Sequence, residues 1–177
     1  MASILNVDQI NNAAGTSALT IDSSGNVNIP GHVVQVVYEI YNGSAGTTSS
    51  SYTAFGRSIS ITPKFANSII IVSWSATAYR QGVAYLTVFR TLSGGSATNM
   101  YNNGNYNTNS STESLRQLGS TSGAEYFPGH MSFIDTTHNS TSSITYDVYG
   151  KTGGGTSVYF PPGSSDAADV VAMEIAQ

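Results

Sequence analysis

Apolar residues in this 177-residue chain recur at every second position, in short runs broken by Gly, Ser, Asn and Thr. No stretch keeps a helical period long enough to form a helix. In "SIIIVSWSATAY" (68–79), Ile70, Val72, Trp74 and Ala76 share one face. In "HVVQVVYEIY" (32–41), Val34, Val36, Tyr38 and Ile40 share one face, with Gln35 and Glu39 on the other. That period belongs to a pleated strand half sunk in a core, because successive side chains alternate between its two faces. Six further segments read the same way: "SISIT" (58–62), "VAYLTVFRTL" (83–92, with Leu86 and Val88 inward), "EYFPGHMSFID" (125–135), "SSITYDVYG" (142–150), "TSVYF" (156–160) and "DVVAMEIA" (169–176). About eight strands joined by turn residues predict an all-β fold, an antiparallel sandwich or barrel, with the jelly roll as its leading version. Trp74, mid-strand among small residues, is expected to anchor the core, since a ring of its size buries ~200 Å².

The first thirty residues follow a different rhythm. In "SALTIDSSGNVNIPG" (17–31), Leu19 with Ile21 and Val27 with Ile29 flank a Ser-Ser-Gly-Asn turn. This is a hairpin with only two apolar side chains per strand, and an isolated hairpin is marginal in water. Leu5-Asn6-Val7-Asp8, Leu19-Thr20-Ile21-Asp22 and Val27-Asn28-Ile29-Pro30 form a loose echo, too few and too uneven for a solenoid. Pro30-Gly31 then marks a boundary between an arm, residues 1–31, and a β-sandwich head, residues 32–177.

Composition excludes several functions. Charged residues make up 9% of the chain and the net charge is -4, against roughly 25% charged residues in an average domain. Such a surface offers no footprint for nucleic acid. Without cysteine there is neither a disulfide framework nor a Cys-based zinc site. The N-terminus lacks the basic and apolar regions of a signal peptide, and the longest apolar run, Ile69 to Val72, is far short of a membrane helix. The expectation is a protein made in the cytoplasm, not inserted into a membrane, with a Gly/Ser/Thr/Asn surface suited to a particle-bound β protein.

The chemistry-bearing residues do not assemble into an enzyme. No Gly-x-Ser-x-Gly elbow accompanies the many serines. His130, Asp135 and His138 lie close in sequence, but His130 and Asp135 are five apart and fall on opposite strand faces. Both histidines are expected at the surface near a strand end, and neither a metal nor any other cofactor is expected. Asp135 with Asp147, or Glu125 with Glu174, could serve as a carboxylate pair for glycoside hydrolysis, but nothing singles them out. The Gly run at 153–155 reads as a turn, not a phosphate loop, and the Asn-x-Ser/Thr triplets at Asn42, Asn109 and Asn139 reflect composition.

One segment breaks the short-turn pattern, the polar stretch 93–123. Tyr101 and Tyr106 stand there among Asn99, Asn102, Asn103, Asn105 and Asn107. Rigid aromatics beside adaptable amides suit a ligand-binding loop, with Tyr101 and Tyr106 stacking and Asn103 and Asn105 hydrogen-bonding. The alternative is a loop with no ligand of its own, mobile or in contact with another subunit.

"ASILNVDQINNAAGTSALTIDSSGNVNIPG" resembles the opening of virion fibre and appendage proteins of marine tailed phages, cyanophages among them. The matching elements are Leu5, Val7, Ile10 and Asn11, then Gly15 and Ser17 through Asp22, then Ser24, Gly25 and Val27. "SISITP", "SIIIVSWSA" and the terminal "MEIA" are similar to the β-sandwich that follows it in such proteins. The resemblance implies a homotrimer in which Leu5, Val7, Leu19, Ile21, Val27 and Ile29 form a stem around a shared axis. It implies attachment to other virion proteins, tail or capsid, through the arm. Two functions follow from it: a short tail fibre contacting a host surface glycan or protein, or a head fibre, cement or decoration protein of the capsid. The phage fibres it resembles are often several-fold longer than this chain, which suggests a compact appendage.

Overall fold

The computed structural model describes residues 7–101, 116–118, 123–153 and 157–177. Among these every regular element is a strand. The arm is a three-stranded meander of β1 (Gln9–Asn11), β2 (Ser17–Ile21) and β3 (Val27–Asn28). The head follows with β4 (Val33–Asn42), β5 (Gly46–Thr47), β6 (Thr53–Ile61), β7 (Ile69–Gln81), β8 (Ala84–Leu92), β9 (Thr98–Asn99) and β10 (Arg116–Leu118). It closes with β11 (Ala124–Asp135), β12 (Ile144–Thr152), β13 (Ser157–Tyr159) and β14 (Ala167–Ile175).

All pairs are antiparallel and make two sheets in the head. One runs β10-β8-β12-β6, with β9 also on β8. In the other, β4 pairs β14 and β14 pairs β7, while β11 takes the opposite edge of β7 and β13 continues the edge that β14 leaves. Among the eight strands β4, β6, β7, β8, β10, β11, β12 and β14, the first pairs with the last and the second with the seventh. This nested order arises when a long hairpin rolls over into two layers. The strands are built from branched and aromatic residues that suit a pleated, half-buried surface.

The core fills the space between the layers. Ile59 and Ile61 from β6, Ile70, Val72 and Trp74 from β7, Leu86 and Val88 from β8, and Tyr146 and Val148 from β12 are all buried. Trp74 is fully covered, and its indole N–H donates to Arg57 O at 2.7 Å, so its one polar atom is satisfied.

Strand β4 departs from its pattern. Its apolar face, Val36, Tyr38 and Ile40, points outward at 53%, 72% and 58% exposure. Register explains this. β4 opposes Gln35 to Glu174 and Val37 to Ala172, and both of those β14 residues face the core. One-face pairing then carries Gln35, Val37 and Tyr41 inward and the other set outward. Gln35 Nε2 donates to Glu174 Oε2 at 2.6 Å and to Thr62 O at 2.7 Å, while the Tyr41 hydroxyl donates to Ser58 O at 2.5 Å. Specific polar partners on the inner side outweigh the burial that Val36, Tyr38 and Ile40 would gain.

The arm contains a repeat that apolar spacing concealed. Asn12 Oδ1 accepts from Ala14 N at 3.0 Å and Thr16 N at 2.9 Å. Ten residues on, Asp22 Oδ1 accepts from Ser24 N at 2.9 Å and Asn26 N at 2.8 Å. Gly15 and Gly25 take the left-handed conformation these loops need, with φ of 82° and 79°. The Asp22 carboxyl is held below its ordinary range, chiefly by the Asn26 side-chain amide and then by the Asn26 backbone N–H. No described residue of the arm is buried. The arm joins the head through Gly31 N to Ala176 O at 2.8 Å and Ala176 N to His32 O at 3.0 Å.

Candidate functional site

The outer face of the sheet containing β4, β14, β7 and β11 can be read in rows across the strands. Nearest the arm, Val36, Met173, Ile71 and Ile134 lie side by side. Next come Tyr38, Val171, Ser73 and Ser132, then Ile40, Asp169, Ser75 and His130. Farther from the arm, Thr77 opposes Pro128 and Tyr79 opposes Tyr126. The face therefore grades from aliphatic beside the arm to hydroxyl, carboxylate and aromatic at the far end.

At that far end β14 leaves β7 after the Ala168–Ala76 pair, and β13 joins only at Tyr79. The interruption opens a groove of about 540 Å³, with Ser75, Thr77, Tyr126, Pro128, Ala167 and Asp169 among its walls. Tyr126 is 68% exposed, and its ring leans on Tyr79 at 4.8 Å between centroids. Tyr79 is in turn 6.0 Å from the Tyr159 ring. Pro128 is tolerated because β11 is an edge strand that need not donate on its free side. A second cleft of about 410 Å³ lies between arm and head, lined by Val27, Ile29, His32, Val33 and Lys64 among others.

The two fully buried carboxylates, Asp135 and Glu174, are committed to structure. Asp135, fully buried, accepts from Arg90 Nη1 at 2.9 and 2.7 Å, from the Tyr146 hydroxyl at 2.7 Å and from Thr137 N at 2.8 Å. Burial alone would raise its carboxyl, but the Arg90 and Tyr146 hydrogen bonds, with Thr137 N–H and the Arg90 charge, carry it below the ordinary range. Burial and the Asp135 charge push the Tyr146 hydroxyl far up. Glu174, also fully buried, accepts from Gln35 Nε2, Lys64 N at 2.9 Å, Phe65 N at 3.0 Å and Ser68 Oγ at 2.8 Å.

His138 is not the surface residue expected. It is 3% exposed, with Nε2 donating to Ser68 O at 2.8 Å and Nδ1 accepting from Ser140 N at 3.3 Å. It lies inside because this imidazole ties the start of β7 to the turn after β11. His130 is exposed, on the face opposite to Asp135, as the strand period required. The two carboxylate pairs do not form. Glu174 sits opposite Ile70 and Glu125 opposite Arg80, roughly 33 Å apart along β7. Glu125 pairs with Arg80 at 2.7 Å. Asp135 and Asp147 belong to different sheets.

Asp147 sits at an irregularity where β12 and β6 slip register, opposite Ser58. Burial pushes its carboxyl up to about 6, although backbone N–H groups of Arg57, Val148 and Gly56 and the Arg57 charge oppose the shift. Its Oδ1 is buried without a hydrogen-bond partner among the described residues.

Tyr101 is half-buried and packs against the core beside the fully buried Met100. Its N–H donates to Asn99 Oδ1 at 3.1 Å, which also accepts from the Thr87 hydroxyl at 2.8 Å. Asn99 belongs to β9, and this pairing onto β8 draws Tyr101 inward. Tyr106, Asn103, Asn105 and the stem residue Leu5 lie outside the described residues. Of the other stem residues, Val7, Leu19, Ile21 and Ile29 are half-buried, and Val27 is 45% exposed. The groove around Tyr126 was missed in the sequence. Its signal was present in "EYFPGH", where strand alternation puts Tyr126, Pro128 and His130 together on the outward side.

No family model matches the sequence, and no curated protein matches it. Among solved structures, the chain is similar to one of infectious bursal disease virus, Gt strain, at 12% identity and a TM-score of 0.39, covering 97% of this chain and 43% of that one. It is also similar to T=1 particles derived from that virus, at 10% identity and a TM-score of 0.42, covering 85% and 39%. For the VP2 subviral particle of the same virus the values are 14% and 0.35, covering 81% and 38%. The chain spans less than half the length of each of these chains.

Proposed function

We propose that this chain is a virion structural protein, a short homotrimeric appendage held to the particle by residues 1–31 and carrying its β-sandwich outward to the host surface. The observation that carries this reading is apolar surface that a single chain leaves uncovered. None of the described arm residues is buried, and Ile10 and Val27 are 48% and 45% exposed. The head continues the same surface: among its described residues, Val33, Val36, Tyr38 and Ile40 of β4 are four of the six large exposed hydrophobics. β4 is a ten-residue edge strand whose only charge is Glu39 and which has no proline or lysine to blunt it. Natural proteins seldom leave such an edge open, because it templates aggregation. A closed assembly of identical chains covers it and gives the arm a core, with interchain burial contributing on the order of 25 cal/mol per Å². The resemblance of the arm to phage fibre openings supports the same arrangement, and we read the nested strand order of the head as a jelly roll.

Two measurements test it. Light scattering on the purified chain at micromolar concentration is expected to give ~55 kDa, three times the 18.5 kDa chain. A monomer removes the argument. Immunogold labelling of virions is expected to mark the tail. Label in a capsid-lattice pattern establishes the decoration role instead, and unlabelled virions overturn both. Deleting residues 1–31 is expected to leave a folded head that no longer joins the particle.

A further inference from the structure

We infer that the groove at the arm-distal end of the head is a binding site for a neutral saccharide. It rests on the reading above only for its biological setting, since the groove belongs to the single chain.

Four features point to this ligand class. Tyr126 offers an exposed ring that leans on Tyr79, itself in contact with the Tyr159 ring, so that stacking on it costs little side-chain entropy. Sugar rings present an apolar C–H face to such a platform and hydroxyls around the rim. Ser75, Thr77 and Asp169 supply matching groups on the adjacent strands, and none of their side chains has a partner among the described residues. Together they provide two hydroxyls and one carboxylate, the last able to accept from two neighbouring sugar hydroxyls at once.

Charge selects within the class. The groove walls contain Asp169 and no lysine or arginine. Of the basic side chains around it, Arg80, on the opposite face of β7, is nine-tenths buried and engaged by Glu125, while the His130 imidazole lies in the same row as Ser75 and Asp169. In a chain of net charge -4 this disfavours sialylated, phosphorylated or sulfated sugars and favours uncharged ones. Position agrees as well. Thr77, Pro128 and Tyr126, the part of the groove farthest from the arm, lie three and four rows beyond the aliphatic row of Val36, Met173, Ile71 and Ile134, although Ile40 shares its row with Asp169 and Ser75.

The test is saturation-transfer NMR and titration calorimetry on the full chain, with maltose, cellobiose, N,N′-diacetylchitobiose, galactose and mannose as neutral probes and N-acetylneuraminic acid as the anionic one. At least one neutral probe is expected to bind with a Kd on the order of 1 mM per site, and the anionic one not at all. Tyr126→Ala is expected to weaken binding at least tenfold, while Tyr126→Phe, which keeps the ring face, retains it. Because Tyr126 leans on Tyr79, Asp169→Lys provides a second variant at an exposed position, also expected to abolish binding with an unchanged Tm. If no neutral probe binds, or if binding survives both Tyr126→Ala and Asp169→Lys, the inference is wrong. Failure here with the protein present on virions leaves the appendage reading standing. Saccharide binding by a protein absent from virions overturns that reading alone.

Discussion

Replacing Asp147 by Asn is expected to stabilise this protein above neutral pH. The carboxyl lies where β6 and β12 lose register, with Oδ1 buried and unpartnered among the described residues. Burial raises it from 3.8 to about 6. The folded state therefore binds this proton more tightly than the unfolded chain does. The associated stability is fully present below the unfolded value near 3.8 and is lost as pH rises through about 6. A shift of this size corresponds to about 3 kcal/mol in a dry site. Asp147 is only half-buried, and solvent reduces the figure to ~1–2 kcal/mol. Asn keeps the shape and removes the charge, so the variant should gain that amount at about pH 8 and converge with the wild type near pH 4. Urea denaturation at fixed protein concentration, followed by the fluorescence of the single tryptophan, Trp74, reads both limits. The opposing possibility is built into the site, because the Arg57 guanidinium, held by Gly43 O at 2.7 Å, lies close enough to favour the carboxylate. A variant less stable than wild type at about pH 8, with no convergence on acidification, would show that Arg57 compensates the charge and that the argument from burial fails.

Glu174→Gln turns one acceptor oxygen into a donor that faces the Lys64 N–H in either amide orientation and should cost ~2–4 kcal/mol, with faster amide exchange at Lys64 as the local readout. Asp135→Asn leaves Arg90 buried opposite a neutral group and should cost ~3–5 kcal/mol in thermal denaturation. In the wild type, the stability that Asp135 contributes is present above its unfolded value of 3.8 and is lost as pH falls through its lowered folded value, a window below that of Asp147. Tyr101→Ala should lower stability by ~1–2 kcal/mol, since its ring is half-buried against the core. An unchanged Tm in that variant would return Tyr101 to the exposed loop that composition suggests.

The sandwich was legible in the sequence wherever one strand face meets the core directly. Along β7, Ile70, Val72 and Trp74 occupy every second position and are all fully buried, while Ile71, Ser73 and Ser75 are not. β4 was misread by the same rule because its orientation is decided by its partner. Gln35 faces inward to reach Glu174, and no property of residues 32–41 encodes a carboxylate 139 positions away. His138 was misplaced for a related reason, its acceptor being Ser68 O, far off in sequence. The candidate site was sought in the polar stretch 93–123, where composition is unusual. The groove instead comes from where β14 ends and β13 begins along β7, a matter of strand lengths in three separate segments. Its residues, Ser75, Thr77, Tyr126 and Asp169, look like ordinary outward-facing strand residues until register brings them together.

The twin turns of the arm carry a consequence for its design. Each ten-residue unit closes its own loop through an Asn or Asp side chain and a glycine, without help from the head. A further copy inserted between Thr16 and Ser17 would therefore add one strand to the meander and leave both existing turns unchanged. Each added antiparallel strand also reverses the chain, so one extra unit moves the exit toward the head to the other end of the strands, while two units restore it and widen the meander by about 10 Å, against roughly 66 Å for the same twenty residues fully extended. The arm thus behaves as a folded ruler graduated in pairs of units.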